Sequence, residues 1–163
     1  MSRLVSDLEA VLQGLIAEHR TLLDLVREHE AALRGFDLKA IDALAARQEA
    51  ARLRIAAWES RRRAVIAQLV KTMRVAPNVT LARLADLYPP RRQALLKLRD
   101  ELKGLAEQIG GRTKVAGRIA AAVLGQLNTA VRLLAGVVEK AGVYTKSGAP
   151  HVSRRIGVIE AVG

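Results

Sequence analysis

From Val5 onward apolar residues recur at alternating spacings of three and four, through Val5, Leu8, Leu12, Leu15, His19, Leu22, Val26, His29 and Leu33. That is the seam of a long amphipathic helix, predicted over about residues 3–34. Gly35 offers a stop, and Phe36-Asp37-Leu38-Lys39-Ala40-Ile41 reads as a new start, with Asp37 capping free amides and Phe36 stapled onto Ile41. The second seam runs Ile41, Leu44, Gln48, Ala51, Ile55, Trp58, Arg62, Val65 and Leu69, and it dies near Ala76-Pro77-Asn78. It predicts a helix over about 37–75, folded back on the first as an antiparallel hairpin. In the connector, Thr80 is placed to cap a short helix of about 81–87 that Tyr88-Pro89-Pro90 ends. A third seam, Leu95, Leu98, Leu102, Leu105, Ile109, Arg112, Ala116, Ile119, Val123, Gln126, Ala130, Leu133 and Val137, keeps one register over about 91–140. Its continuity favours one helix despite Gly104, Gly110, Gly111, Gly117 and Gly125, with Gly110-Gly111 as the place where it would bend. The expected fold is therefore all-α: residues 1–142 as an antiparallel bundle of three long helices with a short connector helix, and residues 143–163 as a loosely held C-terminal arm.

The last helix departs from the single-stripe rule. Beside its seam, Leu124, Leu127, Val131, Leu134 and Val138 form a second three-four series. A bundle helix needs one apolar stripe of roughly 100°, so the added width requires a further cover. That cover is a partner helix, a second subunit or the chain's own tail through Val152, Ile156 and Ile159. At about 25 cal/mol per Å² of apolar surface, five aliphatic side chains offer several kcal/mol to whatever covers them.

Composition agrees with helix-on-helix packing. Hydrophobic residues make up 50% of the 163-residue chain but aromatics only 2%, so the apolar mass is aliphatic, and there is no Cys to build disulfides, thiol nucleophiles or cysteine metal sites. A basic start followed by an apolar run is missing from the N-terminus, and acidic residues break the early apolar stretches, so no signal peptide is expected and the address is cytoplasmic. The most apolar window, around residues 118–138, carries Gln126, Asn128, Thr129 and Arg132 and is read as falling short of a membrane span.

A net charge of +11 raises nucleic acid as a partner. The excess is dispersed, however: residues 1–36 hold 4 basic and 6 acidic side chains, 37–74 hold 9 and 4, 75–90 hold 1 and 1, 91–139 hold 9 and 4, and 140–163 hold 4 and 1. A nucleic-acid footprint concentrates its cations on one stripe, and Arg61-Arg62-Arg63 is the best local candidate for one. Catalytic signals are missing. Gly110-Gly111-Arg112-Thr113-Lys114 lacks the spaced glycines of a phosphate loop, and His19 and His29 lack a second ligand at helical metal spacing. The carboxylate pairs Glu28/Glu30 and Asp100/Glu101 sit on helix faces read as solvated, without the pocket that would split two acidities. The chain is therefore read as non-enzymatic, with no cofactor and no metal.

Several local strings together carry a family resemblance: Leu8-Glu9-Ala10-Val11-Leu12 followed by Glu18-His19-Arg20-Thr21-Leu22-Leu23, Phe36-Asp37-Leu38 leading to Leu44 and Gln48-Glu49, Leu98-Arg99-Asp100-Glu101-Leu102, and the close Tyr144-Thr145-Lys146-Ser147-Gly148. In order and spacing they resemble the FlgN-type flagellar export chaperones. The resemblance implies a cytoplasmic chaperone that holds the C-terminal helical segment of hook-filament junction proteins (FlgK- and FlgL-like), prevents their premature assembly and delivers them to the export gate. It further implies a client surface on the last helix, which matches Leu124, Leu127, Val131, Leu134 and Val138, and a docking role on an FlhA-like gate protein for Tyr144. Two readings from other classes stay open, a basic nucleic-acid-binding helical protein and a structural coiled-coil oligomer in which the second stripe is a homodimer surface.

Overall fold

The computed structural model describes residues 2–76 and 79–142, the side chains of 138–142 excepted. All regular structure in them is helical: α1 (Ser2–Arg34), α2 (Leu38–Met73), α3 (Leu81–Leu87), a single 3₁₀ turn (Pro89–Arg91) and α4 (Arg92–Gly142). The expected all-α class is the class observed. Two compact units divide the chain, Met1–Ala120 and Ala121–Gly163, and α4 contributes residues to both.

Within the first unit, α1 and α2 form the hairpin. Gln48 lies against Leu25 and His29, Arg54 pairs with Glu18, and a Cβ on Gly14 would meet the Trp58 ring, so positions on the two helices sum to a near-constant value as in an antiparallel pair. α4 runs parallel to α1: Glu9 pairs with Arg91, Arg20 with Glu101 and Glu30 with Arg112, a steady offset along both helices. The core follows from that order. One cluster gathers Val5, Leu8, Leu12 and Leu15 with Leu69, Ala85 and Leu95; a second joins Leu22, Leu25 and Val26 to Leu44 and Ala51; a third joins Ile16 and Leu23 to Leu105. α1 is therefore the central helix, buried on the side facing α2 and again on the side facing α4.

Both long-helix endings use a left-handed residue, and neither uses glycine for it. At the end of α1 the Phe36 amide donates to Leu33 O and the Asp37 amide to Ala32 O, the paired bonds of a Schellman ending with Phe36 at φ 55°. Gly35, expected as the stop, precedes the left-handed position instead of occupying it. Phe36 is also 51% exposed, so it does not form the staple expected of it; the positive φ that closes α1 is the local reason for its different course. Asp37 does cap α2, accepting from the Ala40 amide at 3.0 Å, and Thr80 caps α3 through the Arg83 amide at 3.2 Å. Helical structure continues through Gly110-Gly111 without interruption.

Candidate partner-binding surface

The electrostatic anchor between α1 and α4 is Glu30. Its carboxylate is 2% exposed and accepts from Arg34 Nη2 at 2.5 Å and from Arg112 Nη1 at 3.1 Å. Burial alone would raise its pKa, but hydrogen bonds and charge from Arg112 and Arg34 outweigh that and hold the carboxyl below its ordinary value. The reading of Glu30 as a solvated side chain is therefore corrected. It lies on the α4-facing side of α1, where Arg112, an apparent blemish in the third seam, comes to meet it.

Other polar candidates are absorbed by the fold. Gln48 is buried and donates from Nε2 to His29 Nδ1 at 2.8 Å, and the His19 ring donates from Nδ1 to Leu15 O at 2.7 Å. Of the basic triplet, Arg61 stands over the Trp58 ring at 5.5 Å and Arg62 is bound to Glu59 at 2.8 Å, so two of its three guanidiniums have partners within the chain. Among the described residues no group of three or more metal-ligating side chains occurs.

Where α4 passes the α1–α2 turn its facing residues are small, namely Thr113, Ala116, Gly117 and Ala120, and they leave an apolar groove of about 400 Å³ against Val26, Leu33, Ile41 and Ala45. Sequence reading missed this groove. Its one available signal is the set of small residues at the seam position Ala116 and beside it, at Thr113, Gly117 and Ala120, where larger side chains would have closed the gap.

In the second unit α4 is apolar and open. Leu124, Leu127, Val131 and Leu134 are between 47% and 65% exposed, as the second stripe requires. Leu133 and Val137, assigned to the core seam, are exposed as well, at 67% and 62%. The expected division into one buried and one outward stripe therefore does not hold here: within the second unit, positions of the seam and of the second stripe are exposed alike. Val138 lies on α4 with its side chain outside the described residues, and Tyr144 lies outside them altogether. By length and composition alone, α4 contains an 18-residue window apolar enough to cross a membrane, with mean hydropathy 1.3, because an average tolerates the few polar side chains that were read as disqualifying. Core helices of soluble proteins pass the same test.

A long helical hairpin, and a third helix with an open aliphatic face, are the geometry on which a family comparison bears. The family model described as FlgN protein matches residues 1–151. The chain belongs to the FlgN family. A search of curated proteins and a search of solved structures each return no match. The FlgN family is a soluble, cytoplasmic family of flagellar export chaperones that generally bind hook-associated proteins, and membership suggests an export-chaperone role for this chain.

Proposed function

We propose that this FlgN-family chain holds the C-terminal helical segment of FlgK- and FlgL-like hook-filament junction subunits on the apolar face of α4, through Leu124, Leu127, Val131, Leu134 and Val138. Bound there, the client segment cannot enter filament-type packing, and Tyr144 then docks the complex on an FlhA-like export-gate protein. The observation that carries the reading is the exposure of four large aliphatic side chains in one three-four series on a helix of a chaperone-family chain. A helix laid into such a face is recognised through anchors at i, i+3, i+4 and i+7.

Calorimetry tests the reading. A synthetic C-terminal helix from a hook-filament junction protein binds the full chain in a 1:1 complex, and Leu127→Asp or Val131→Asp weakens it by at least about tenfold, since losing one buried aliphatic anchor removes roughly 1.5–3 kcal/mol. An absence of heat at micromolar concentrations of both partners would overturn it. Tyr144→Ala, in contrast, leaves client affinity unchanged and lowers binding to the soluble part of the gate protein.

A further inference from the structure

Residues 60–85 hold Arg61, Arg62, Arg63, Lys71, Arg74 and Arg83 and no Asp or Glu. A run of like charge is usually a solvated face; what sets this one apart is the ground between its arginines. Two shallow grooves adjoin there, both inside the first unit and both bordered by Val79. One, of about 360 Å³, follows a single face of α2 from Arg63 over Ile66 and Ala67 to Val70. The other, of about 450 Å³, lies between Val75 and α3 and is lined by Thr80, Arg83 and Leu87.

Each groove thus joins aliphatic side chains to an arginine. The carboxylates that border the segment in sequence are committed to other cations, Glu59 to Arg62 at 2.8 Å and Asp86 to Arg92 at 2.8 Å. Arg63 and Arg83 are exposed, and among the described residues no carboxylate pairs with either. A guanidinium in the open presents parallel N–H donors that match a carboxylate in a bidentate pair. Nucleic acid fits this ground less well. Its phosphates would take the arginines but leave the aliphatic floor in water, and neither groove offers an aromatic face on which a base could stack.

We propose that this pair of grooves binds a short acidic amphipathic helix of a partner protein, its aliphatic side chains seated on Ile66, Val70 and Val79 and its carboxylates on Arg63 and Arg83. The surface belongs to the first unit and shares no residue with the open face of α4, so it does not rest on the client reading. Fluorescence anisotropy of the full chain with a labelled peptide of three Glu-Leu-Leu-Glu repeats is the test. The expected result is binding at micromolar peptide, about tenfold weaker when Gln replaces every Glu and also when Ser replaces every Leu, since each exchange removes one half of the match. Arg63→Gln combined with Arg83→Gln weakens binding by about tenfold or more. Ala67→Glu, which sets a carboxylate on the floor, abolishes it, and Leu127→Asp leaves it unchanged. Circular dichroism confirms that the variants keep their helices, all four positions being exposed. No binding, equal binding of the Ser-containing peptide, or tighter binding of a uridine oligonucleotide than of the peptide overturns the proposal. Binding that survives the arginine exchanges but is lost in Leu127→Asp overturns it too, and leaves the α4 reading standing.

Discussion

Among the described residues, Phe36 and Arg74 carry the two positive φ angles outside glycine, 55° and 52°, each just past the end of a long helix. A Cβ in that region crowds the following carbonyl, so Arg74→Gly is expected to stabilise the fold by about 0.5–1 kcal/mol in urea titrations. Gly14 shows the reverse requirement: a Cβ there would sit 2.7 Å from the Trp58 ring, closer than any relaxed contact. Gly14→Ala is accordingly expected to cost about 1–3 kcal/mol by the same measurement, through overpacking of the α1–α2 contact. At Glu30 the expectation concerns pH. Its pKa is held down in the folded state, because the hydrogen bonds and charges of Arg112 and Arg34 outweigh its burial. The stability it contributes is therefore complete above the carboxylate's unfolded pKa and is lost as pH falls through the lower, folded one. Thermal melts across that acid range should show the wild type losing stability faster than Glu30→Gln, so that the gap between them narrows; parallel curves would sink this assignment. None of these four positions announces itself in sequence. The left-handed residue of a Schellman ending differs by one position from the glycine beside it, and a close approach or a buried ion pair exists only once two distant segments meet.

At the scale of elements, the three-four seams sufficed for the helices, because a helix buries a stripe whose period is written directly into the chain. Asp37 and Thr80 were legible as caps for a similar reason: the bond they make is to a backbone amide three residues away, and needs no tertiary partner. What escaped is how many faces each helix buries. α1 also carries two apolar lines, one through Leu8, Leu15 and Leu22 and another through Ile16 and Leu23, and both are covered within the chain. On the last helix the same kind of doubling stays open. The glycines of α4 bear on the same element. Added Cβ atoms at Gly110, Gly111, Gly117 and Gly125 meet nothing within 4 Å, so each is a helix-interior glycine without a packing reason. Replacing any one by Ala should raise stability by up to about 1 kcal/mol, read as an increase in the denaturation midpoint with unchanged slope.

For the whole molecule, 27 basic against 16 acidic side chains will attract any polyanion at low salt. Ion pairs already engage Arg20, Arg34, Arg54, Arg62, Arg91 and Arg112. Binding to a random DNA duplex should therefore be weak and vanish by about 0.2 M salt in a gel shift; retention there would favour a nucleic-acid role over a chaperone one. The candidate surface was legible as a pattern, since a doubled stripe is visible in one dimension, but which of its positions stay exposed is a property of the assembled fold. That assembly also orders events in time. The central helix is made before its partners, and the third layer that covers Ile16 and Leu23 includes Leu105, some eighty residues downstream. On the ribosome that helix must therefore wait, half dressed, until Leu105 has been added and has emerged. A newborn chain stalled before that point would be an aggregation-prone hairpin, with one apolar side of its central helix still in water.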